Sequence, residues 1–133
     1  MDRPEFPYGS NCVYCSAPAL EWDHVIARAL TQQKRVYEPE DWIVPACRDC
    51  NSLLRARAIT NIPERAAWLY ARYRKKYAKL LTSASWTDEE TEELGENLKR
   101  LVLETKVAQA ELDLRLAHLR LIASKDWGYL RPR

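Results

Sequence analysis

The chain has 133 residues, a length that supports one hydrophobic core and not two independent ones. Hydrophobic residues make up 47% and charged residues 30%, with only three glycines, which excludes a disordered chain. The formal net charge of +2 is too small to argue by itself for a nucleic-acid partner, and no apolar run approaches the roughly 18 residues of a membrane span.

Residues 1–10 carry Asp2, Arg3 and Glu5, two prolines and no apolar run, so no ordinary secretory signal is expected and a cytoplasmic protein is. In a reducing compartment four cysteines serve a metal better than they serve disulfides. Cys12-Val13-Tyr14-Cys15 is a first C-x2-C pair, and Cys47-Arg48-Asp49-Cys50 is a second, with 31 residues between them. Each pair makes a tight turn that aims two thiolates at one ion, and together they complete the closed four-thiolate shell of a structural Zn2+. Such a shell leaves no open position for water, so this zinc is expected to fold the segment and not to catalyse.

Between the pairs, Trp22, Trp42, Ile43 and Val44 are strand-like, while the stretch from Asn51 to Arg57 lacks strand signals. A knuckle, a β-hairpin and a helix opening at the second knuckle form a treble-clef arrangement over residues 1–60. From residue 61 the pattern turns helical. Asn61 followed by Glu64, with Pro63 in the first turn, predicts a helix over 61–81. Its apolar stripe includes Leu69, Tyr73 and Leu80, and its other face gathers Arg72, Lys75, Lys76 and Lys79. Thr87 with Glu90 predicts a second capping box and a long helix over 87–124.

In that helix Leu94, Leu98, Leu101, Thr105, Ala108, Leu112, Leu116 and Leu119 step by fours and threes. At about 1.5 Å per residue it is on the order of 50 Å long, more than the first helix can cover, so the seam implies a further partner, either the zinc module or a second chain in a homodimer. The expected class is α+β: a small zinc-bound ββα module over 1–60 followed by a two-helix extension over 61–133. His118 lies beside the seam and reads as an ordinary surface or interface residue. Tyr70, Tyr73 and Tyr77 follow the helical stripe and read as core.

The run Glu21-Trp22-Asp23-His24-Val25-Ile26, followed by Asp41 to Asn51 with its second knuckle, resembles the cysteine-bearing branch of the HNH endonucleases (ββα-metal, or His-Me finger), the branch of phage endonuclease VII. The resemblance covers about residues 11–57. It implies a phosphodiester hydrolase of DNA, from a phage or bacterial cell, with His24 as general base and a catalytic Mg2+ or Mn2+ held by Asp23 and Asn51. A histidine near its ordinary pKa of about 6.5 suits proton abstraction from water at neutral pH, and hard oxygen ligands suit Mg2+. Adjacent strand residues point to opposite faces, so Asp23 and His24 share one site only where the backbone bends. The family's middle Asn would fall five residues before Cys47, where this chain has Trp42 beside Asp41.

Arg48, Arg55 and Arg57 flank that site as candidates for gripping the scissile strand, and Arg72, Lys75, Lys76 and Lys79 are candidates for more distant phosphates. Two rival readings stay open: a catalytically inactive zinc module that binds DNA or serves as a scaffold, and an adaptor whose helices bind protein.

Overall fold

A computed structural model describes residues 9–25, 43–55, 57, 59, 61–83 and 85–124. Trp42, Asp41 and Ile26 lie outside the described residues. In chain order the elements are β1 (Glu21–His24), β2 (Ile43–Ala46), α1 (Arg48–Leu54), α2 (Ile62–Lys76), α3 (Ala78–Leu81), α4 (Asp88–Glu92) and α5 (Glu96–Ser124). The architecture is mixed: a small two-stranded sheet and a helical C-terminal region. Among the described residues no helix is long and apolar enough to cross a membrane.

β1 and β2 pair antiparallel, with Glu21 opposite Ala46, Trp22 opposite Pro45, Asp23 opposite Val44 and His24 opposite Ile43. Pro45 has no N–H to give, but its carbonyl accepts from Val13 N at 2.9 Å and so ties β2 to the first cysteine turn. α1 opens one residue after Cys47 and ends at Arg55, whose φ of 45° stops the helix while its N–H still reaches Asn51 O. The helix therefore starts inside the second C-x2-C pair, as the sequence predicts.

α2 starts where Asn61 Oδ1 accepts from Glu64 N at 2.9 Å, so the expected cap forms through its Asn half. Arg74, Lys75 and Lys76 in the last turn favour the helix dipole. The helix predicted to reach residue 81 is interrupted at Tyr77, and α3 continues it for one turn, closed by Thr82 and Ser83 hydroxyls on Ala78 O and Lys79 O. The Thr87–Glu90 capping box forms in both directions at 3.1 Å. The long helix predicted from residue 87 is broken in two, because α4 tightens into three-residue bonds at Glu93 and Leu94 before Gly95, the residue least favourable to a helix interior after proline. α5 runs unbroken from there for 29 residues.

α5 packs along α2. Leu112, Leu116, Leu119 and Ile122 are buried in the same cluster as Ile62, Ala66, Leu69 and Tyr73 of α2 and Cys12, Tyr14, Val44 and Cys50 of the N-terminal half. Each fully buried Leu or Ile in it contributes about 1.5–3 kcal/mol of transfer free energy, so the two halves are stabilised by one shared core. The predicted seam is buried only in its second half: Leu98 and Leu101 lie beyond the reach of α2 and are exposed.

Candidate metal centre and the strand–helix junction

The first cysteine turn closes through Cys12 N to Ala17 O at 2.6 Å and Ser16 N to Cys12 O at 2.9 Å, with Ser16 in the left-handed region at φ 68°. In the second, Cys47 caps α1 and its Sγ accepts from Cys50 N at 3.3 Å. All four Sγ atoms lie within 4.8 Å of one another, all are buried, and none is in a disulfide. Zinc–sulfur bonds of about 2.3 Å in a tetrahedron give sulfur–sulfur edges of about 3.8 Å. The Cys15–Cys47 separation of 3.6 Å fits that edge.

The thiols compete for ionisation. Hydrogen bonds from Cys12, then Cys15 and Cys50, drive the Cys47 thiol strongly toward thiolate, and a bond from Cys12 lowers Cys15 to about 7. The same crowding raises Cys12, chiefly through Cys15, and Cys50, chiefly through Cys12. Four sulfurs this close cannot all carry charge without a cation, and a divalent ion removes that conflict. The buried cluster can hold a metal such as zinc.

Two side chains from the helical half complete its surroundings. Tyr73 Oη lies 3.1 Å from Cys50 Sγ, and Arg115 donates to Tyr73 Oη at 2.7 Å and to Cys47 Sγ at 3.5 Å, while its other nitrogen reaches Asp49 Oδ2 at 3.4 Å. Tyr77 Oη donates to the same Asp49 oxygen at 3.2 Å. Burial works against the Arg115 charge, but Cys15 and Tyr73 outweigh it and hold its pKa above the ordinary value. Nothing local in the sequence marks Arg115 as a neighbour of the thiols; Tyr73 is visible only as a core position.

The three residues expected at a nuclease site sit as follows. Asp23, on β1, is buried, and its Oδ2 accepts from Tyr14 Oη at 2.5 Å and Arg65 Nη2 at 2.8 Å. Asn51, in the second turn of α1, donates from Nδ2 to Glu21 Oε1 at 2.9 Å. A carboxylate only accepts, so this bond fixes the amide with its oxygen turned away from Glu21. His24 ends β1 half-buried, and the strand alternation groups it with Trp22, whereas Glu21 and Asp23 share the other face. The structure thus brings Asn51 to Glu21 and Asp23 to Arg65.

Glu21 was not singled out by the motif, yet it is half-exposed at the junction and also meets Arg48 Nε at 3.7 Å. Arg55 and Arg57 are exposed at the end of α1; Arg55 Nε bonds Ser52 O at 3.2 Å, and the Arg57 guanidinium lies 4.9 Å over the Trp68 ring. Arg72, Lys75, Lys76 and Lys79 are all exposed on α2 and α3. His118 is half-buried, beside Cys15 and Arg115 in a groove between the first knuckle and α5.

A divalent cation asks for oxygen donors with free lone pairs and no competing positive charge. Asp23 does not fit that role in this geometry, because one carboxylate oxygen already serves a guanidinium and a hydroxyl inside the core. The amide oxygen of Asn51, left over from its bond to Glu21, is a hard donor and does fit, whereas Glu21 already accepts from Asn51 Nδ2 at 2.9 Å and meets Arg48 at 3.7 Å. No protein-family model, curated protein or solved structure matches the chain.

Proposed function

We propose that this protein is an HNH-type endonuclease that hydrolyses phosphodiester bonds of DNA, with its fold held by zinc in the four-cysteine centre of a treble-clef module. The observation that carries the reading is the Asn51–Glu21 contact at 2.9 Å: residues 30 apart in sequence meet where the helix leaving the second knuckle passes β1, the strand that ends in Asp23-His24. That is the place where the resemblance puts the reaction.

His24, on the opposite face of β1 from Glu21, accepts the proton of the attacking water by reaching round the end of the strand, and Asn51, oriented by Glu21, presents its amide oxygen at the junction. Arg48, Arg55 and Arg57, all exposed around α1, bind the phosphates on either side of the scissile bond. A bound Mg2+ or Mn2+ would supply Lewis-acid stabilisation of the phosphate and the departing oxygen. The test is nicking of supercoiled plasmid with Mg2+ or Mn2+ by the wild type and by His24→Ala. Nicking lost in the variant, with zinc content and fold kept, supports the proposal; full activity in the variant overturns it.

A second reading, a zinc-braced module that binds DNA or serves as a scaffold without cutting, is favoured by the Asp23–Arg65 pair and by Trp42 in place of the family's middle Asn. A gel shift without nicking under either cation selects it.

A further inference from the structure

The face of α5 turned away from α2 carries a second apolar seam that the core does not use. Leu103, Val107, Ala110, Leu114, Ala117 and Leu121 follow one another at steps of four, three, four, three and four, an a/d repeat extending about 27 Å along the helix. The large members stand in solvent: Leu103 is 46% exposed, Val107 59%, Leu114 73% and Leu121 51%. On the helix this line lies opposite Leu112, Leu116 and Leu119, which are buried against α2. The seam is therefore accessible to a partner without undocking the core.

The charges along its two edges identify the partner. Lys99, Lys106 and Asp113 line one edge, and Glu104, Glu111 and His118 the other. In a parallel two-stranded coil each residue of the first edge faces the partner residue five positions later on the second. That gives Lys99 with the partner's Glu104, Lys106 with the partner's Glu111, and Asp113 with the partner's His118, an acid matched to a base or an imidazole in each; Arg120, also on the first edge, has its counterpart outside the described residues. An antiparallel pair with the same six apolar residues in register instead sets Glu111 on the partner's Glu111, Asp113 on the partner's Asp113 and Lys106 near the partner's Arg120, with Glu104 near the partner's His118 its one matched pair. Like charges at that spacing disfavour association.

Lys99 and Lys106 already touch Glu92 at 2.7 Å and Asp88 at 3.5 Å on α4. An ammonium has three protons to share, so each lysine keeps donors for a partner's carboxylate while it is bound to α4. Ala110 and Ala117 at two successive d layers let the helix axes approach closely.

We infer that the exposed face of α5 is the interface of a parallel homodimer, packed through Leu103, Val107, Leu114 and Leu121 around the two alanines. The inference stands independently of what the strand–helix junction does. Because Arg115 fastens the C-terminal half of α5 to Cys47, parallel pairing sets both four-cysteine centres at the same end of the dimer.

Sedimentation of the metal-loaded chain over a range of concentrations tests it, expecting a mass twice the 15.5 kDa of one chain. Leu114→Asp should return the mass to one chain with zinc content and helical circular dichroism unchanged. Leu114→Cys should join two chains by a disulfide under mild oxidation, since a layers meet in register, whereas Leu98→Cys on the other stripe should not. Glu111→Lys should weaken the dimer at least tenfold, and adding Lys106→Glu should restore it. A single-chain mass at every concentration, a dimer that survives Leu114→Asp, or a Leu114→Cys dimer that fails to crosslink would each overturn the inference.

Discussion

Arg65 Nη2 lies 2.8 Å from Asp23 Oδ2, with both side chains out of solvent and 42 residues of chain between them. Arg65 also donates through Nε to Tyr14 Oη at 2.9 Å and through Nη1 to the carbonyls of Val25 at 3.0 Å and Ile59 at 2.7 Å. One guanidinium so ties α2 to the first knuckle, to the end of β1 and to the segment after α1. Burial opposes its charge, but Tyr14 and Asp23 outweigh that and hold its pKa above the usual value.

Removing one partner of a buried pair leaves the other charge without compensation, at a cost of about 3–5 kcal/mol. Asp23→Asn is therefore expected to lower the urea stability of the holoprotein by that order. Unchanged stability together with lost nicking would instead make Asp23 a ligand of the reaction cation.

Tyr14 and Tyr73 lead to a prediction at high pH. Burial, reinforced by Asp23, raises Tyr14 well above 10.0, and burial followed by the charge of Cys50 raises Tyr73. A phenol whose folded pKa is raised contributes stability that is full below the unfolded pKa of about 10 and is lost as pH rises above it. At least two of the seven tyrosines should fail to ionise near pH 10 and titrate only as the protein unfolds. Phenolate absorbance followed alongside circular dichroism checks this; all seven titrating in the folded state would contradict the burial.

Local signals in the sequence located the cysteine turns, the helix opening at the second of them, the Asn61 cap and the Thr87–Glu90 box, because each depends on residues within a few positions of one another. The contacts that join the halves were not legible. Arg65 falls on the same helical stripe as Ile62, Leu69 and Tyr73, but no local signal says that Asp23 and Tyr14 wait there to pair with its charge. Arg115 meets Cys47 across 68 residues, a distance over which periodicity carries no information. The seam of α5 was legible as a heptad pattern, but how much of it is buried depends on how far α2 and α3 run beside it, with Leu112, Leu116 and Leu119 covered and Leu98 and Leu101 left exposed.

The exposed cations of α2 and α3 give a prediction about salt. If Lys75 and Lys79 contact phosphates, each contact releases counterions and contributes about 0.9 to the slope of log affinity against log salt on duplex DNA. The double variant Lys75→Ala, Lys79→Ala should flatten that slope by up to about 1.8 and weaken binding equally for unrelated sequences. A gel-shift series in rising salt measures it. An unchanged slope would confine the DNA to Arg48, Arg55 and Arg57.

Arg115 decides how far the metal centre depends on the C-terminal helix. A four-thiolate zinc centre carries excess negative charge, and groups that donate to its sulfurs stabilise the ligand set; losing one in comparable sites lowers metal affinity about 10–100-fold. Arg115 donates to Cys47 Sγ and to Tyr73 Oη, and Tyr73 in turn meets Cys50 Sγ, so this residue of α5 reaches both thiols of the second knuckle. Arg115→Met keeps the aliphatic stem that packs near Tyr73 and removes the donors, so the core is left largely filled while the sulfurs lose their cation. Zinc should then pass to a chelator at least tenfold faster than from the wild type, with the circular dichroism of the loaded protein unchanged. Cys47→Ser sets the other limit: with one thiolate gone the N-terminal half should not hold zinc or fold, because binding free energy is folding free energy in such a module. Chelator release from Arg115→Met at the wild-type rate would show that α5 rests against the metal module without contributing to it.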